Sequence, residues 1–410
     1  MLSPVEVDLE AYDISRVSGF LPDKCPLRKL PDPYYVPWER LTAHLEPLIR
    51  AKRLQHELDQ MPVLGITRLT SQPMRRRAYV LLSFLAQAYL WGEDIPNTTL
   101  PQAIAKPLTE VSTLLEIKPF ATFAAFCLWS FSVHFDDDIG GDCHKFLDNM
   151  SMTCSFTGTT DEAWFFNVST AIEARGGRII PSILNAISAV QNNDMLTVEG
   201  FLLDFTICLR DLCDLIDRMH ENCRPSVFYH RIRPFLSGTS NNNPATENSK
   251  GVFYVQAEDG TGEWHRYSGG SNAQSSLIQL FDITLGINHD IGYKTRYLRE
   301  MRSYMPAQHR RFLARMEEIS NLRPYALSHG PGSSNMCSLY NSAVLGLKNL
   351  RDKHMALVFR YIIIPRAKEK AGNGLAIRQK DLVGTGGTDM IPFLRETRDD
   401  TMNAVHLPYS

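Results

Sequence analysis

The sequence predicts a mainly α-helical protein. Apolar residues recur at three- and four-residue steps over long stretches, which is the pattern of a helix with one buried face. Alternating, strand-like patterns are few by comparison, and no internal repeat is present. Helices are expected in six segments: Pro37–Leu58, Arg75–Trp91, Ala163–Ala174, Met195–Glu221, Asn272–Ile287 and Ala343–Ile364.

The last of these helices carries a histidine on its apolar face. Leu347, Leu350 and Leu357 belong to the inward stripe, and His354 falls on the same stripe. Pro365 is expected to end the helix, because it has no N–H to continue the hydrogen-bond ladder. A buried imidazole needs a partner, since an unsatisfied buried polar group costs about 1–3 kcal/mol. That partner is either a carboxylate or backbone carbonyl, or a metal ion, for which neutral imidazole is a common ligand.

One hairpin and two long loops interrupt the helical pattern. Gly251–Tyr267 has two alternating halves joined by a glycine-rich turn, which predicts a β-hairpin. Ser237–Gly251 is polar throughout and is expected on the surface. Residues 366–388 are charged and then glycine-rich, a composition typical of a mobile lid loop.

A polar stretch predicts where the chain divides into domains. His134–Glu162 is rich in Gly, Asp, Ser and Thr, as linkers commonly are. We therefore expect a small helical domain over residues 1–140, a linker over residues 141–160 and a larger helical domain over residues 161–410.

Composition excludes several classes of protein. The 410 residues are 44% hydrophobic and 21% charged, with a net charge of -2, as in ordinary globular proteins. Because no long basic run is present, neither nucleic acid nor an anionic membrane surface is an expected partner. The acidic N-terminus lacks a secretory leader, so a cytoplasmic location is expected. The apolar run Pro119–Phe135 is too short to span a bilayer and predicts a buried helix.

The eight cysteines form no Cys-x-x-Cys pair. This excludes the usual spacings of zinc fingers, iron–sulfur sites and c-type haem attachment. In a reducing compartment we expect them to act as small buried hydrophobic side chains.

Two further motifs have a functional and an ordinary interpretation. The acidic run Asp136–Asp142 suits Mg²⁺, which prefers clustered carboxylates, and all-α terpene cyclases bind magnesium–diphosphate in this way. However, their second motif is not found downstream, and the neighbouring glycines are typical of a solvated loop.

Gly384–Thr388 reads GTGGT and offers backbone N–H groups to an anion. It matches neither the P-loop nor the dinucleotide-binding pattern.

Two polar clusters are candidates for binding a carboxylate. Arg231 and Arg233 point about 200° apart on a helix, so one of them is expected to face inward. An inward arginine needs an acceptor, either a ligand carboxylate or an aspartate of the protein. Ser271 and Asn272 follow a Gly-Gly turn at the predicted start of a helix, where they either bind an anion or simply cap the helix.

The order of the motifs indicates a family. GGSNAQSS, FDITLGI, YMPAQHRRFL, LRDKH, RYIIIP and GTGGTD follow one another along the C-terminal half. LPDPYY, AYLWG, LPQAIAKPL and LLEIKP do so in the N-terminal half. Together, from about Leu30 to about Asp400, they closely resemble the indoleamine 2,3-dioxygenase family.

The resemblance implies a haem b enzyme in which a small N-terminal helical domain covers a large helical domain, with the haem between them. The implied reaction inserts both atoms of O₂ across the indole C2–C3 bond of L-tryptophan and gives N-formylkynurenine. The implied partners are L-tryptophan, O₂ and a small-molecule reductant or electron donor. The protein is expected to be a monomer.

The resemblance also assigns residues to the haem. His354 matches the proximal ligand of the iron, and Arg351 matches the arginine that neutralises a haem propionate. Asp282 matches the salt-bridge partner of that arginine. Gly270 and Ser271 match the turn that touches both propionate and substrate.

Other matches concern the substrate. Phe228 and Arg233 match the aromatic and the arginine that hold the indole ring and the tryptophan carboxylate, and Ser169 matches a serine near the indole nitrogen. These three residues are the expected catalytic group. The remaining matches are two pocket aromatics and a lid residue: Phe123, Phe165 and Thr385.

The sequence also departs from the family pattern. Phe123 stands where the family commonly has a tyrosine, and Phe126 stands where it has a smaller residue. These differences predict a tighter pocket on the side of the haem where the substrate binds. Asn272 and Ala273 stand where alanine and glycine are common. The alternatives are therefore a haem protein of the same fold that acts on a different indole, and one with a non-catalytic signalling role.

Overall fold

The computed structural model confirms that the protein is mainly α-helical. The residues it describes are 7–134, 141–239, 250–289, 293–329, 335–372, 384 and 390–405. Within these ranges, none of the helices has the length and apolar character needed to cross a lipid bilayer.

The N-terminal part is built around one long buried helix, α4. Ser71 caps its first turn by accepting a hydrogen bond from the N–H of Met74, and α4 packs against α1 and α5. Short 3-10 turns at Glu10–Tyr12 and Pro33–Tyr35 precede these helices. The helices of this part are α1 (Val36–Ala43), α2 (Leu45–Arg50), α3 (Leu54–Asp59), α4 (Gln72–Trp91) and α5 (Gln102–Leu114).

The prediction of one helix over Pro37–Leu58 was wrong, because α1, α2 and α3 are separate. Pro47 explains the first break: in a continuous helix its ring would clash with the carbonyl of Ala43, where α1 ends. Lys52 explains the second break, since its φ of 52° lies in the left-handed region that no helix continues through.

Among the described residues, five short strands form two small sheets. β1 pairs with β4 in parallel and β4 pairs with β5 antiparallel, while β2 and β3 form a separate antiparallel pair. The hairpin predicted over Gly251–Tyr267 is therefore confirmed as β4 and β5. The strands are β1 (Thr99–Leu100), β2 (Phe131–Val133), β3 (Met150–Met152), β4 (Val252–Val255) and β5 (Gly262–His265).

The prediction of a buried helix over Pro119–Phe135 was wrong in its secondary structure. Residues 120–133 are buried, but in the described part of the segment, which excludes Phe135, the helical element is the short π turn Ala124–Leu128, and the chain then enters β2. The Ser132 hydroxyl lies 2.9 Å from the Ser151 hydroxyl of β3. Pairing with a distant strand thus overrides the local pattern, as often happens for aromatic runs.

The C-terminal part contains most of the helices. Two π turns, Phe228–Ile232 and Phe359–Ile363, and two 3-10 turns, Arg233–Leu236 and Asn272–Gln274, connect them. The helices are α6 (Cys143–Asp148), α7 (Thr160–Gly177), α8 (Ile180–Gln191), α9 (Met195–Asp217), α10 (Met219–Asn222), α11 (Pro225–Val227), α12 (Ser276–Leu285), α13 (Tyr293–Arg302), α14 (Ala307–Ile319), α15 (Leu322–Ser328), α16 (Met336–Val358), α17 (Ile364–Gly372) and α18 (Met390–Asn403).

Residues 141–160, predicted as a linker, include α6 and β3. This stretch is therefore more regular than its polar composition indicates. The division of the chain into two domains stays a prediction.

The two longest helices, α9 and α16, run side by side in the same direction. Gly346 of α16 lies against Leu209 of α9, and farther along Asn349 contacts the Cys213 sulfur at 3.5 Å. Because Gly346 has no side chain, the two backbones approach closely at this point. The α9–α16 pair thereby gives a rigid support to the face of α16 that carries His354.

Pro365 does not end the helical chain, contrary to the prediction. α16 ends at Val358, the π turn follows, and α17 then contains Pro365 in its first turn. Proline is tolerated there because the first N–H groups of a helix have no intrahelical partner. The wider π turn supplies the break that the proline requires.

Close backbone packing between α7 and the N-terminal segment gives a prediction. A Cβ at Gly177 would lie 2.4 Å from the Ser18 carbonyl oxygen, so Gly177→Ala is expected to destabilise the protein by more than about 1 kcal/mol. Gly200, exposed on α9, has nothing within 4 Å, and Gly200→Ala is expected to stabilise by about 0.5–1 kcal/mol. Urea unfolding measures both. A stable Gly177→Ala variant would contradict the tight contact.

Candidate functional site: a cavity beneath His354

A cavity of about 300 Å³ lies among α7, α12, α16 and α18. Its lining gathers residues from across the chain, including every predicted site residue that the structure describes. Thr385 lies outside the described residues, although Gly384 beside it lines the cavity. The predicted residues found here are Phe123, Phe165, Ser169, Phe228, Arg233, Gly270, Ser271, Asp282, Arg351 and His354.

His354 lines this cavity and has no hydrogen-bond partner among the described residues. No described residue donates to or accepts from its imidazole, so neither the carboxylate nor the carbonyl expected as an ordinary partner is present there. Burial and the nearby charge of Arg351 lower the pKa of His354 to about 4. The ring is therefore neutral near pH 7 and keeps a lone pair for a ligand.

Arg351, one turn before His354, makes a bidentate ion pair with Asp282. Its Nη2 lies 2.7 Å from Oδ1 and 2.8 Å from Oδ2 of that carboxylate, which belongs to α12. Its Nη1 also donates to the Thr401 hydroxyl of α18. Burial would raise the pKa of Asp282, but the charges of Arg351 and His289 outweigh it and hold that pKa below its ordinary value.

His289 extends this network and was missed in the sequence. Its Nε2 lies 3.2 Å from Asp282 Oδ2, and its Nδ1 lies 2.9 Å from Asp400 Oδ2. Lys294 also contacts Asp400, at 2.8 Å. Burial alone would lower the pKa of His289, but the two carboxylates raise it above its ordinary value. Asp400 is 111 residues from His289, so no local pattern could have paired them.

Aromatic rings form one wall of the cavity. The ring centroids of Phe165 and Phe228 are 4.7 Å apart, and those of Phe228 and Tyr361 are 5.8 Å apart. Tyr361, which sequence analysis did not select, donates to the Cys223 carbonyl at 2.6 Å. Flat rings with one fixed polar edge are suited to a planar aromatic ligand.

The Gly-Gly-Ser turn meets a second aromatic group. A Cβ at Gly270 would lie 2.6 Å from the Phe126 ring, so only glycine fits at this position. Gln274 is the last residue of the 3-10 turn that follows. Its side-chain amide accepts a hydrogen bond from the Phe123 N–H at 2.9 Å and donates one to the Gly269 carbonyl at 3.0 Å. Gln274 therefore fixes the position of Phe123 relative to the turn.

The structure shows what Ser271 contacts and which of the two arginines, Arg231 or Arg233, faces inward. Ser271 accepts from the Ala273 N–H at 3.2 Å and caps the 3-10 turn, while also lining the cavity. α12 itself begins only at Ser276. Of the two arginines, Arg231 is exposed and Arg233 lines the cavity.

Arg233 lies at the edge of the aromatic wall. Its guanidinium carbon is 5.7 Å from the centre of the Tyr229 ring, within range of a cation–π contact. The Tyr229 hydroxyl in turn donates to Glu369 of α17 at 3.2 Å. The Arg233 side chain is thus linked through Tyr229 to α17. Residues 366–372, predicted as the start of the lid loop, are helical because they belong to α17, and the rest of that segment except Gly384 lies outside the described residues.

α7 contributes two polar groups, one turn apart. The Ser169 hydroxyl donates to the Phe165 carbonyl at 3.3 Å, as serines inside helices often do. Glu173 follows at the next turn, accepts a hydrogen bond from the Ser275 hydroxyl and also lines the cavity. Glu173 was not selected from the sequence, although a glutamate one turn below Ser169 on a buried face was a usable signal.

Comparison with known proteins identifies the family. The family model described as indoleamine 2,3-dioxygenase matches residues 8–404. The chain belongs to the indoleamine 2,3-dioxygenase family. This membership excludes the terpene cyclase interpretation of Asp136–Asp142, a run of which residues 136–140 lie outside the described ranges.

Three relatives cover nearly the whole chain. An indoleamine 2,3-dioxygenase of Penicillium citrinum is 47% identical over 97% of this chain and 89% of its own length. One of Aspergillus candidus is 43% identical over 97% of each chain. A 6-hydroxytryptophan 2,3-dioxygenase of Fusarium equiseti is 34% identical over 97% of this chain and 98% of its own length.

Indoleamine 2,3-dioxygenases are haem-containing oxidoreductases that act on indole substrates, and the cavity fits that cofactor. Among the described residues, no three His, Cys, Asp or Glu side chains gather as a metal site. A metal at His354 therefore needs its other ligands from a non-protein group, as a porphyrin supplies them. Apolar side chains such as Leu347 and Leu350 suit the macrocycle, and Arg351 suits an acidic edge.

The His289 network predicts a pH-dependent stability. The folded pKa of His289 is raised, so its stabilisation is full below the unfolded value of about 6.5 and is lost as pH rises through the folded value. His289→Gln is expected to cost about 1.5–3 kcal/mol at low pH, as for hydrogen bonds to charged groups, and less at high pH. Thermal unfolding at about pH 5.5 and about pH 9 measures the difference.

His56 provides the matched control for this prediction, because it is exposed on α3. His56→Gln is expected to leave stability unchanged at both pH values. An equal loss of stability in His289→Gln at both pH values would show that its carboxylate partners do not favour the protonated ring.

Proposed function

We propose that this protein is a haem-dependent dioxygenase that cleaves the indole C2–C3 bond of L-tryptophan with O₂ to give N-formylkynurenine. One observation carries the proposal: the neutral imidazole of His354, which no described residue hydrogen-bonds, shares a single cavity with an aromatic wall and Arg233. A metal ligand, a site for a flat ring and a cation for a carboxylate are the three elements that this reaction requires.

The residues on the α16 side would hold the cofactor. His354 would bind the iron through a ring nitrogen, and Arg351 and Ser271 would bind the propionates. Asp282 keeps Arg351 in place with its two hydrogen bonds. Bound haem supplies the iron at which O₂ is bound and activated.

The other walls would bind and orient the substrate. Phe165 and Phe228 would pack against the indole ring, and Arg233 would pair with the carboxylate in a bidentate manner. Ser169, beside Phe165, would offer its hydroxyl oxygen to the indole N–H. These contacts hold the C2–C3 bond in one place, which is the contribution of orientation to the rate.

Neither histidine in the described lining of the cavity is available as a general base. Of the two histidines among the described lining residues, His354 is assigned to the iron and His289 is held by Asp282 and Asp400. The residues therefore act by binding, orientation and exclusion of water. Proton transfer is assigned to the substrate and O₂ themselves.

A different indole is the second candidate substrate. The Fusarium equiseti relative is named for 6-hydroxytryptophan. In this chain the Phe126 ring fills the space next to Gly270, and Phe123 also lines the cavity. We propose L-tryptophan as the first substrate to test, with ring-substituted tryptophans beside it. We also propose that the protein is a monomer, that it is located in the cytoplasm, and that a small-molecule reductant supplies its electrons.

Removal of the iron ligand tests the cofactor assignment. His354→Ala is expected to lose the absorption spectrum of histidine-ligated haem, because no other described residue offers an unpartnered imidazole to the cavity. The spectra to record are those of the ferric protein and of the ferrous–CO complex. His56→Ala should retain them, and a normal spectrum in His354→Ala would move the iron ligand to another residue.

Removal of the carboxylate site tests the substrate class. Arg233→Leu is expected to lose about 2–5 kcal/mol of transition-state binding for L-tryptophan, an approximately 30-fold or greater fall in kcat/KM. Tryptamine, which has no carboxylate, should be affected little. The absorbance of the ring-opened product measures both substrates in the steady state: N-formylkynurenine from L-tryptophan, and its analogue without the carboxylate from tryptamine.

Arg231→Leu is the matched control, since Arg231 lies two residues away and is exposed. It should leave the kinetics of both substrates unchanged. Equal losses for L-tryptophan and tryptamine in Arg233→Leu would show that Arg233 supports the fold and not the carboxylate.

A further inference from the structure

Glu173 is a buried carboxylate that the proposed reaction does not use. Its side chain is 2% exposed, and it lines the same cavity as His354. One oxygen accepts from the Ser275 hydroxyl, while the other, Oε2, is buried and receives no hydrogen bond from any described residue. A charged carboxylate in such a place is costly unless a further donor or a proton reaches it.

Glu162, on the same helix, shows what a structural buried carboxylate looks like here. It accepts four hydrogen bonds: from the Phe156 and Thr157 N–H groups at 2.8 and 2.7 Å, and from the Ser155 and Thr157 hydroxyls at 2.7 and 2.6 Å. Glu162 is satisfied as an anion, whereas Glu173 is not. The difference indicates a functional reason for the position of Glu173.

No cation compensates Glu173. Burial raises its pKa to about 7, with only the Ser275 hydrogen bond opposing, and no charged side chain in the described part of the chain shifts it. The Cys127 thiol, the ionisable group that senses Glu173, is itself held neutral by burial. Other ionisable groups are engaged with partners of their own. On α7 itself Arg175 pairs with Asp211, and on other elements Arg224 pairs with Asp161, His220 with Tyr361 and Arg351 with Asp282.

We propose that Glu173 is the group that takes up a proton when the haem iron is reduced. The inference rests on the proposed binding of haem at His354. An external one-electron reductant gives its electron to the ferric iron, and the Glu173 carboxylate takes one proton from solvent and becomes a carboxylic acid. The number of electrons and protons gained is one each, so the charge of the cavity stays constant.

The physical reason is electrostatic. Reduction removes one positive charge from the cavity, and in a low-dielectric interior an uncompensated carboxylate then becomes less favourable. The pKa of Glu173 is consequently higher in the ferrous than in the ferric protein. Between the two pKa values, reduction and protonation are coupled, and the reduction potential falls as pH rises.

The test is the pH dependence of the haem reduction potential, measured by spectroelectrochemistry on the holoprotein. The wild type should show a potential that falls between about pH 6 and about pH 8, with a limiting slope of about 59 mV per tenfold change in proton concentration. Glu173→Gln, which is similar in shape but cannot ionise, should give a nearly flat line. An unchanged slope in Glu173→Gln would overturn the inference.

A second variant covers the case in which Glu173→Gln does not fold. Ser275→Ala removes the hydrogen bond that favours the charged carboxylate, so the sloping region should move to higher pH. In the wild type, the ferrous-minus-ferric infrared spectrum should also gain the carbonyl band of a protonated carboxylic acid. Its absence together with an unmoved slope in Ser275→Ala would sink the inference. Lack of a haem spectrum in the wild type would instead contradict the proposed function.

Discussion

The ion pair between Arg351 and Asp282 determines how the cavity is assembled. It joins α16, which carries His354, to α12, and through His289 and Thr401 it also fastens α18. The charged side chains of this network are almost fully buried, so the charge of each one is stabilised by the opposite charges of its neighbours. A single charged network thereby fixes three helices around one imidazole, and the same arginine is positioned to bind an acidic ligand.

Two strong polar groups at the cavity lack a full set of partners among the described residues. Away from it, buried carboxylates such as Glu39 and Glu162 have two or more partners. At the cavity, His354 lacks a hydrogen-bonding partner among the described residues and Glu173 has one. Since buried polar groups are normally paired, two incompletely paired groups that line one cavity are candidates for binding a ligand or a proton.

The sequence predicted the helices with a strong apolar period, the hairpin and, through family resemblance, the cavity residues. Pro47 broke the first predicted helix by a local rule that could have been applied to the sequence. In contrast, β2 formed by pairing with a distant strand. Likewise, His289 and Gln274 act on partners more than 100 residues away. Contacts of that kind depend on the packing of whole helices, and no spacing of residue types encodes them.

The contact between Gly270 and the Phe126 ring makes the two positions interdependent. A side chain at 270 needs the space that the ring occupies. A smaller residue in place of Phe126 would remove this constraint, so the substitution at 126 must precede the one at 270. The route by which this pocket can diverge, in nature or in directed evolution, therefore has a fixed order.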